Sequence, residues 1–373
     1  MNCKKIVFTA ARQVELIDAE MSETLKPNEV LVRLAYSTIS SGTERANLSG
    51  DVPTSIFSDA LPHYPLQTGY SSAGEVMAVG QEVKSVRPGD RVALSWSTHS
   101  QYVRIAESNV HKIGYDEITY SDAALAHIVT FPEAAVRKCR LEFGEAALVM
   151  GLGVLGLLSV KFLRLAGACP VIAADPDAGK RELALKYGAD YALDPYEAGF
   201  HDKVKSITNG GVNAAIEVTG IGEALNQTLD CMKLMGRVVL LGCTRRADFT
   251  VDFYHKVHGN GVSLIGANTF CRPKSDSSSG LWTTADDVSA YFSLLHYGHL
   301  DMTGFVEETH SPAECRALYA RLLANRTFPV VQFDWNLIER RNQYEKDPNR
   351  THRNRPRPLA RHDGLHPEVP GRF

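Results

Sequence analysis

No run of about twenty consecutive apolar residues occurs anywhere in the 373-residue chain, so the sequence offers no membrane-spanning helix. The opening residues Met1-Asn-Cys-Lys-Lys lead straight into Ile6-Val-Phe-Thr and lack the hydrophobic region and cleavage site of a signal peptide. A cytoplasmic location is the expectation. The seven cysteines (Cys3, Cys139, Cys169, Cys231, Cys243, Cys271 and Cys315) are odd in number, scattered, and nowhere spaced as CxxC. That argues for reduced thiols and against a disulfide framework or a zinc knuckle. Charge of one sign is also missing: 40 basic and 43 acidic residues leave a net −3, which gives no general reason to expect nucleic acid as a partner. What remains is an ordinary globular composition, 44% hydrophobic and 22% charged, long enough for two domains and suited to a small-molecule partner.

The most informative feature present is Ala147-Leu-Val-Met-Gly-Leu-Gly-Val-Leu-Gly156. An apolar strand runs into Gly151-x-Gly153-x-x-Gly156, and a helix from Leu157 to Gly167 leads to a second strand, Val171-Ile-Ala-Ala-Asp175. Gly151 permits a tight turn, Gly153 lets the backbone approach a pyrophosphate, and Gly156 lets helix and strand pack closely. Around Val154 and Leu155 the helix N-terminus offers its free N–H groups to phosphate. Asp175, about twenty residues on, is placed to accept both hydroxyls of an adenosine ribose and to repel a 2′-phosphate. NAD is therefore expected over NADP, although Lys180 and Arg181 follow closely enough to tolerate a phosphate.

Residues 1 to about 125 read as β-rich, with strands at Lys5 to Thr9, Glu29 to Tyr36, Gly74 to Gly80, Pro88 to Leu94 and Gln101 to Ile105. Ser121 is placed to cap a helix beginning at Asp122. From about 128 to 266 strands and helices alternate, which predicts a parallel sheet. Helices are expected over Ala178 to Tyr187, His201 to Thr208 and Glu223 to Leu234. Strands are expected at Tyr191, Ala214 to Thr219, Gly236 to Gly242 and Val262 to Gly266. The fold class is α/β, a doubly wound nucleotide-binding domain whose strand ends at Val218-Thr219 and Gly242-Cys243 face the cofactor. Thr284 is the expected cap of a helix to Leu295, another helix runs from Pro312 to Leu323, and Val330 to Trp335 is a closing strand that returns to the first domain. Residues 336–373 hold nine Lys/Arg, five Asp/Glu and five prolines without a periodic apolar face. They read as a basic, proline-rich solvated tail, with a wrap onto a neighbouring subunit as the alternative.

From about residue 1 to Trp335 the chain resembles the medium-chain dehydrogenase/reductase superfamily, the relatives of the zinc alcohol dehydrogenases. The motifs are Ser41-Gly-Thr-Glu44, Gly69-Tyr-Ser71, Gly89-Asp-Arg-Val92, the glycine loop, Asp175, Ile216-Glu-Val-Thr-Gly220 and Gly236 to Gly242. The resemblance implies a GroES-like catalytic domain (1–127 and 267–335), a Rossmann NAD-binding domain (128–266) and a homodimer or homotetramer. It also marks departures. The positions that hold catalytic zinc in the family are Ser41, Tyr70, Ser71 and Ala126 here, and the structural-zinc lobe is missing. Zinc wants thiolate, imidazole or carboxylate ligands, so no metal is expected; His127 beside Ala126 is a single imidazole.

The same resemblance assigns Thr43 to the hydroxyl that relays the substrate's proton, while Ala46 replaces the relay histidine. Tyr70, standing in for a metal ligand, should face the nicotinamide. There it either donates a hydrogen bond, acts as a base if its pKa is lowered, or merely fills the vacated site. Ser41 is placed to orient water or substrate. His99, on the shortened loop, is either a titrating imidazole near the cleft or a surface histidine. Glu44 and Arg45 read as an internal ion pair beside the cleft. Thr130 aligns with a threonine that contacts nicotinamide, and Asn268 and Trp282 are candidates for the cleft wall.

The leading expectation is an NAD-dependent, zinc-independent oxidoreductase that interconverts secondary alcohol and ketone on a polar, sugar- or cyclitol-like substrate. Two alternatives stay open: a zinc-free quinone or enoyl-type double-bond reductase, and a non-catalytic nucleotide-binding or scaffold protein. A variant of the last keeps NAD bound through a redox-neutral cycle.

Overall fold

The computed structural model describes residues 1–338, and the greater part of the basic tail lies outside them. The chain opens with a hairpin, β1 (Asn2–Ala10) and β2 (Gln13–Glu20), followed by β3 (Glu29–Thr38) and a helix α1 (Ser41–Ser49). Then come β4 (Ser71–Val79), β5 (Arg91–Ser95), β6 (Tyr102–Ala106) and β7 (Val110–Lys112). A short α2 (Tyr120–Ala123) and a long α3 (Ala126–Lys138) lead to β8 (Ala147–Met150), α4 (Val154–Leu165), β9 (Val171–Ala174) and α5 (Ala178–Lys186). The alternation continues with β10 (Tyr191–Leu193), α6 (Phe200–Ile207), β11 (Val212–Glu217), α7 (Gly222–Asp230), β12 (Met232–Leu240) and β13 (Ser263–Gly266). The last elements are α8 (Thr284–His296), β14 (Glu308–His310), α9 (Cys315–Ala324) and β15 (Val331–Asp334).

Strands β8 to β13 form a six-stranded parallel sheet in the order β10-β9-β8-β11-β12-β13. Numbered from its own first strand this is 3-2-1-4-5-6, the doubly wound order whose switch point lies between β8 and β11. The side chains explain why both faces are covered. Ala147, Val149, Val171 and Ala173 enter the core shared with α3 and α4, whereas Leu148, Met150, Ile172 and Ala174 enter the opposite core. A period of two with every residue apolar is what a sheet buried on both faces requires.

Seven of the other strands build a second sheet in the order β14-β15-β3-β4-β5-β7, with β6 also paired to β3. Its pairings are antiparallel except the parallel β14–β15 pair, and β1 and β2 form a separate two-stranded sheet. The closing strand does return: Gln332, Phe333 and Asp334 pair with Thr38, Ser37 and Tyr36. A polar knot fixes it there. The Trp335 indole donates to Ser37 Oγ at 2.9 Å, and Ser37 Oγ meets His99 Nδ1 at 2.7 Å. His99 Nε2 lies 3.2 Å from Glu44 Oε2, and Glu44 also accepts from the Tyr319 hydroxyl of α9 and, at 2.8 Å, from the Ser40 amide. Indole can only donate, so Ser37 is best satisfied by giving its proton to Nδ1, which leaves Nε2–H to donate to Glu44.

Several local expectations are corrected. His99 is fully buried, neither on the surface nor on the cleft wall. Glu44 makes no pair with Arg45, whose guanidinium instead reaches the carbonyls of Asn325 and Arg326. Thr119, not Ser121, caps the helix at residue 120, because its hydroxyl takes the Asp122 amide; the Ser121 hydroxyl donates to Gln332. Likewise Thr283 rather than Thr284 caps α8. The glycine-loop helix begins at Val154, since Gly153 already serves as its N-cap. The helix expected to Leu234 stops at Asp230, and β12 begins at Met232, where the chain pairs with β11.

Replacing Glu44 with alanine would leave the buried Tyr319 hydroxyl, Ser40 amide and His99 N–H without their acceptor. The expected destabilisation is about 3 kcal/mol or more. Arg45→Ala, which frees only partly exposed carbonyls, should cost less than about 1 kcal/mol. Denaturant midpoints of the two variants measure the contrast, and equal losses would contradict the role given to Glu44.

Candidate active site

The glycine loop lies at the carboxyl end of β8. Gly151 adopts φ +96°, in the region glycine favours, and a Cβ there would lie 2.7 Å from Thr219 Cγ2. At Gly156 a Cβ would lie 1.9 Å from the Gly151 carbonyl oxygen, so only glycine lets the helix start this close to the strand. Gly153 is different: a Cβ would meet nothing within 4 Å, because its missing side chain faces open space. No side chain caps α4, which leaves its first amides available to an anion.

Gly151, Leu152 and Gly153 line a cleft of about 470 Å³. Asp175, Thr219, Glu223 and Gln227 form the rest of its sheet-side wall, and Ser41 and Arg326 to Phe328 come from the other sheet's side. The Asp175 carboxylate accepts the Leu152 amide through Oδ2 at 2.8 Å and the Asp177 amide through Oδ1 at 2.9 Å. That fixes its position without using all its lone pairs. Both nearby cations are engaged elsewhere. Lys180 reaches the cleft wall but pairs with Glu307 at 3.4 Å, and Arg181 holds the Asp175 and Pro176 carbonyls and Asp194. A dinucleotide fits this wall: open glycine backbone, free helix amides and a carboxylate at the ribose end.

The second centre surrounds Tyr70. Its hydroxyl makes a short hydrogen bond to Ser40 Oγ, and Thr43 stands near enough to favour its ionised form. Burial raises the phenol pKa to about 12, and its hydroxyl partners only partly offset this. Tyr70 therefore stays protonated at neutral pH. Of the roles expected for it, the low-pKa base is overturned, while the hydrogen-bond donor and the filler of a vacated site both stay open. Cys243, at the far strand end, is near enough that negative charge there would also oppose ionisation of Tyr70. Around the phenol stand His127, Phe131 and Trp96, with ring centroids at 5.5, 5.7 and 6.1 Å.

The four positions matching the family's zinc ligands do not suit the metal. Ser41 belongs to the dinucleotide cleft and does not touch Tyr70 in the hydrogen-bond pattern; the neighbouring Ser40 does. The Ser71 hydroxyl is spent on the Ala124 carbonyl at 2.7 Å, and Ala126 has no donor atom. Among the described residues no three His, Cys, Asp or Glu side chains converge on one point.

Of the remaining sequence candidates, Thr219 lines the cleft and Gly242 packs against Gly220, where a Cβ would lie 2.4 Å from the Gly220 nitrogen. Val218 is not part of the cleft wall; its carbonyl carbon lies against Gly242. The Thr130 hydroxyl donates within its own helix to the His127 carbonyl at 2.8 Å, which leaves it only as an acceptor toward a nicotinamide amide. Asn268 caps its own turn by accepting the Phe270 amide at 3.0 Å. Trp282 lies under the Arg137 guanidinium at 4.1 Å, not beside Tyr70, and Glu44 is sealed in the knot behind the site. Three residues that sequence reasoning missed are Ser40, Trp96 and Phe270. Nothing local marks them; only the folded chain brings Trp96 and Phe270 together, stacked at 5.6 Å and 7°.

Comparison with known proteins agrees with this architecture. Residues 26–140 match the family described as alcohol dehydrogenase GroES-like domain, and 154–281 match zinc-binding dehydrogenase. The chain is 23% identical over 323 residues to D-guloside 3-dehydrogenase of Shigella flexneri, covering 82% of this chain and 91% of that protein. It is 31% identical over 268 residues to L-threonine 3-dehydrogenase of Pyrococcus abyssi, covering 64% and 73%. Among solved structures, benzyl alcohol dehydrogenase of Acinetobacter calcoaceticus superposes with a TM-score of 0.76 at 17% identity, over 90% of this chain and 99% of that one. A putative zinc-binding dehydrogenase of Sinorhizobium meliloti 1021 bound to NADP gives 0.73 at 20%, over the same shares. Glycine loop, strand order and relatives agree: the chain belongs to the medium-chain, zinc-type alcohol dehydrogenase superfamily and is an NAD(P)-dependent, alcohol dehydrogenase-like oxidoreductase.

Proposed function

We propose that this protein interconverts a secondary alcohol and a ketone on a polar, hydroxylated substrate, prefers NAD, and works without zinc. The observation that carries the reading is Tyr70, a neutral phenol hydrogen-bonded to Ser40 beside Thr43, at a position that the family resemblance assigns to a metal ligand. Support for the substrate class comes from relatives named for D-guloside, L-threonine, butanediol and sorbitol. Support for NAD comes from Asp175 and from the engagement of Lys180 and Arg181 away from the ribose position.

NAD would supply the hydride acceptor for alcohol oxidation, and its reduced form the hydride for ketone reduction. In reduction the Tyr70 hydroxyl gives its proton to the substrate oxygen and is reprotonated from solvent by way of Ser40. In oxidation the same relay runs outward, the phenol passing its own proton to Ser40 and solvent as it takes the alcohol's. The protein's part is to meet the charge that develops on the reacting oxygen. Tyr70 donates its hydroxyl hydrogen to that oxygen, and Ser40, with Thr43 beside it, holds the phenol in place through its hydrogen bond. Because burial holds the phenol pKa near 12, the resting protonation state is the one that ketone reduction uses. The Glu44 carboxylate acts one step back, gripping the Ser40 amide at 2.8 Å.

Tyr70→Phe should lower turnover by about a hundredfold or more and leave NAD affinity by calorimetry unchanged. In the wild type, a group with a pKa near 12 stays protonated through neutrality. The pH profile of ketone reduction should then show no inflection owed to Tyr70 until the pH passes about 10. Full activity in the phenylalanine variant would remove the tyrosine from the chemistry.

Dialysis against a chelator should leave activity intact, and elemental analysis should find no stoichiometric zinc. One zinc per chain, with activity lost on chelation and regained on addition, would defeat the metal-free reading.

Asp175→Asn keeps an acceptor for the Leu152 amide and removes the charge. The ratio of NAD to NADP efficiency should fall by about tenfold or more. An unchanged ratio would place cofactor selection elsewhere.

A further inference from the structure

His127 is the one imidazole beside Tyr70, and the chemistry above does not use it. It is 1% exposed, and neither ring nitrogen has a hydrogen-bond partner among the described residues. Burial, followed by the positive neighbours His111 and Arg272, lowers its pKa to about 3, so the ring is neutral with one donor and one acceptor. Buried polar atoms are normally paired, and an orphaned pair in a candidate active site calls for a ligand. The walls are aromatic: Trp96 at 4.7 Å, Phe131 at 5.1 Å and Tyr70 at 5.5 Å, all edge-on to the imidazole.

What lies over it is exposed. Trp96, 42% exposed, has a left-handed backbone (φ 59°) that bulky residues rarely adopt. Phe270, 56% exposed, stacks flat on it, and Phe57, 79% exposed, leans on Phe270 at 5.5 Å. Three segments far apart in sequence thus contribute one aromatic ring each to a cover above an unsatisfied imidazole. Phe270 is anchored from beneath, because Arg272 donates to the Thr130 carbonyl at 2.8 Å and to Asp287 at 3.1 Å.

We propose that His127 recognises a second hydroxyl of the substrate, next to the carbon that reacts at Tyr70, and that the Trp96–Phe270 pair covers the carbon skeleton between them. The proposal rests on the dehydrogenase reading and names its substrate class: a vicinal diol or polyol, cyclic or extended, with one apolar C–H face. The donor–acceptor pair of a neutral imidazole matches a hydroxyl, which also gives and takes one hydrogen bond. A carboxylate would leave the acceptor nitrogen unpaired, and an ammonium the donor. Aromatic rings suit C–H faces, and Trp96, in edge contact with the imidazole, is the side chain that would have to move for a hydroxyl to reach it.

The test uses two ring alcohols that differ by one group, trans-1,2-cyclohexanediol and cyclohexanol, with NAD present. Binding is read from tryptophan fluorescence and calorimetry, and turnover from NADH formation. The expected result is that the diol binds about tenfold more tightly than cyclohexanol and changes a fluorescence signal that Trp96→Phe abolishes. His127→Phe should erase the tenfold preference while NAD affinity and thermal midpoint hold, and His127→Gln, which keeps a donor and an acceptor, should restore part of it. If the preference is absent in the wild type, or survives in His127→Phe, the inference is overturned while dehydrogenase turnover still stands. If the diol binds through His127 but neither alcohol is oxidised, hydroxyl recognition stands and the dehydrogenase reading falls. Binding of neither probe overturns the inference.

Discussion

A single buried carboxylate, Glu44, is the constraint on which the catalytic side of this molecule depends. It accepts from the Ser40 amide, the His99 imidazole and the Tyr319 hydroxyl, and Thr68 lies at 3.5 Å. These donors come from the start of α1, the turn after β5, the helix α9 and the loop before β4. An uncompensated charge at 1% exposure would be ruinous, so every donor is held to its place by the cost of leaving. The chain's closing segment is fastened by the same network, through Trp335, Ser37 and His99. That is why a strand more than 290 residues downstream can complete the sheet begun by β3.

The knot also reaches the chemistry. Ser40 stands between Glu44 and Tyr70: its amide points to the carboxylate and its hydroxyl to the phenol. On the zinc-free reading proposed above, the geometry of the reacting centre would be set from within the catalytic sheet. A metal would impose its own coordination shape and hold several side chains at once. With Ser41, Tyr70, Ser71 and Ala126 at those positions, rigidity has to come from packing and hydrogen bonds. The short Ser40–Tyr70 contact, the Ser71–Ala124 bond and the aromatic walls supply it.

The parts legible in the sequence share one property: their physical reasons are local. The glycine loop could be read because each glycine answers a separate local demand, a positive φ at Gly151, open space at Gly153 and a backbone contact at Gly156. Asp175 could be read because the strand that carries it ends there. The parallel sheet followed from the alternation of short apolar strands with helices, and β15 from its own apolar run. Failures came where a side chain's partner lies far away in sequence. His99 looked like a loop histidine, yet its partners Ser37 and Glu44 are some 60 residues away. Trp282 looked like a cleft residue, but Arg137 claims it. Ser121 and Thr284 were offered as caps one or two positions from the hydroxyls that do the work, because neighbouring hydroxyls cannot be ranked without the backbone.

If Tyr70 does the work that a metal ligand's position suggests, substrate oxygen is handled differently from a metal site. A Lewis acid can stabilise an alkoxide outright, whereas a phenol with a pKa near 12 can only share or give its proton. Such a site gains most if other contacts hold the substrate so that its oxygen lies on the phenol before any charge develops. Tyr70 alone cannot supply that orientation, since one hydrogen bond leaves a ligand free to rotate about it. The opposite wall of the cleft, with Gly151, Gly153 and Asp175, is built to hold a dinucleotide independently of Tyr70. Orientation must then come from residues that surround the phenol without touching Ser40 or Thr43: Trp96, His127 and Phe131. On the zinc-free reading the burden of precision would pass from coordination chemistry to an aromatic enclosure, built from Trp96 just after β5 and from His127 and Phe131 of α3.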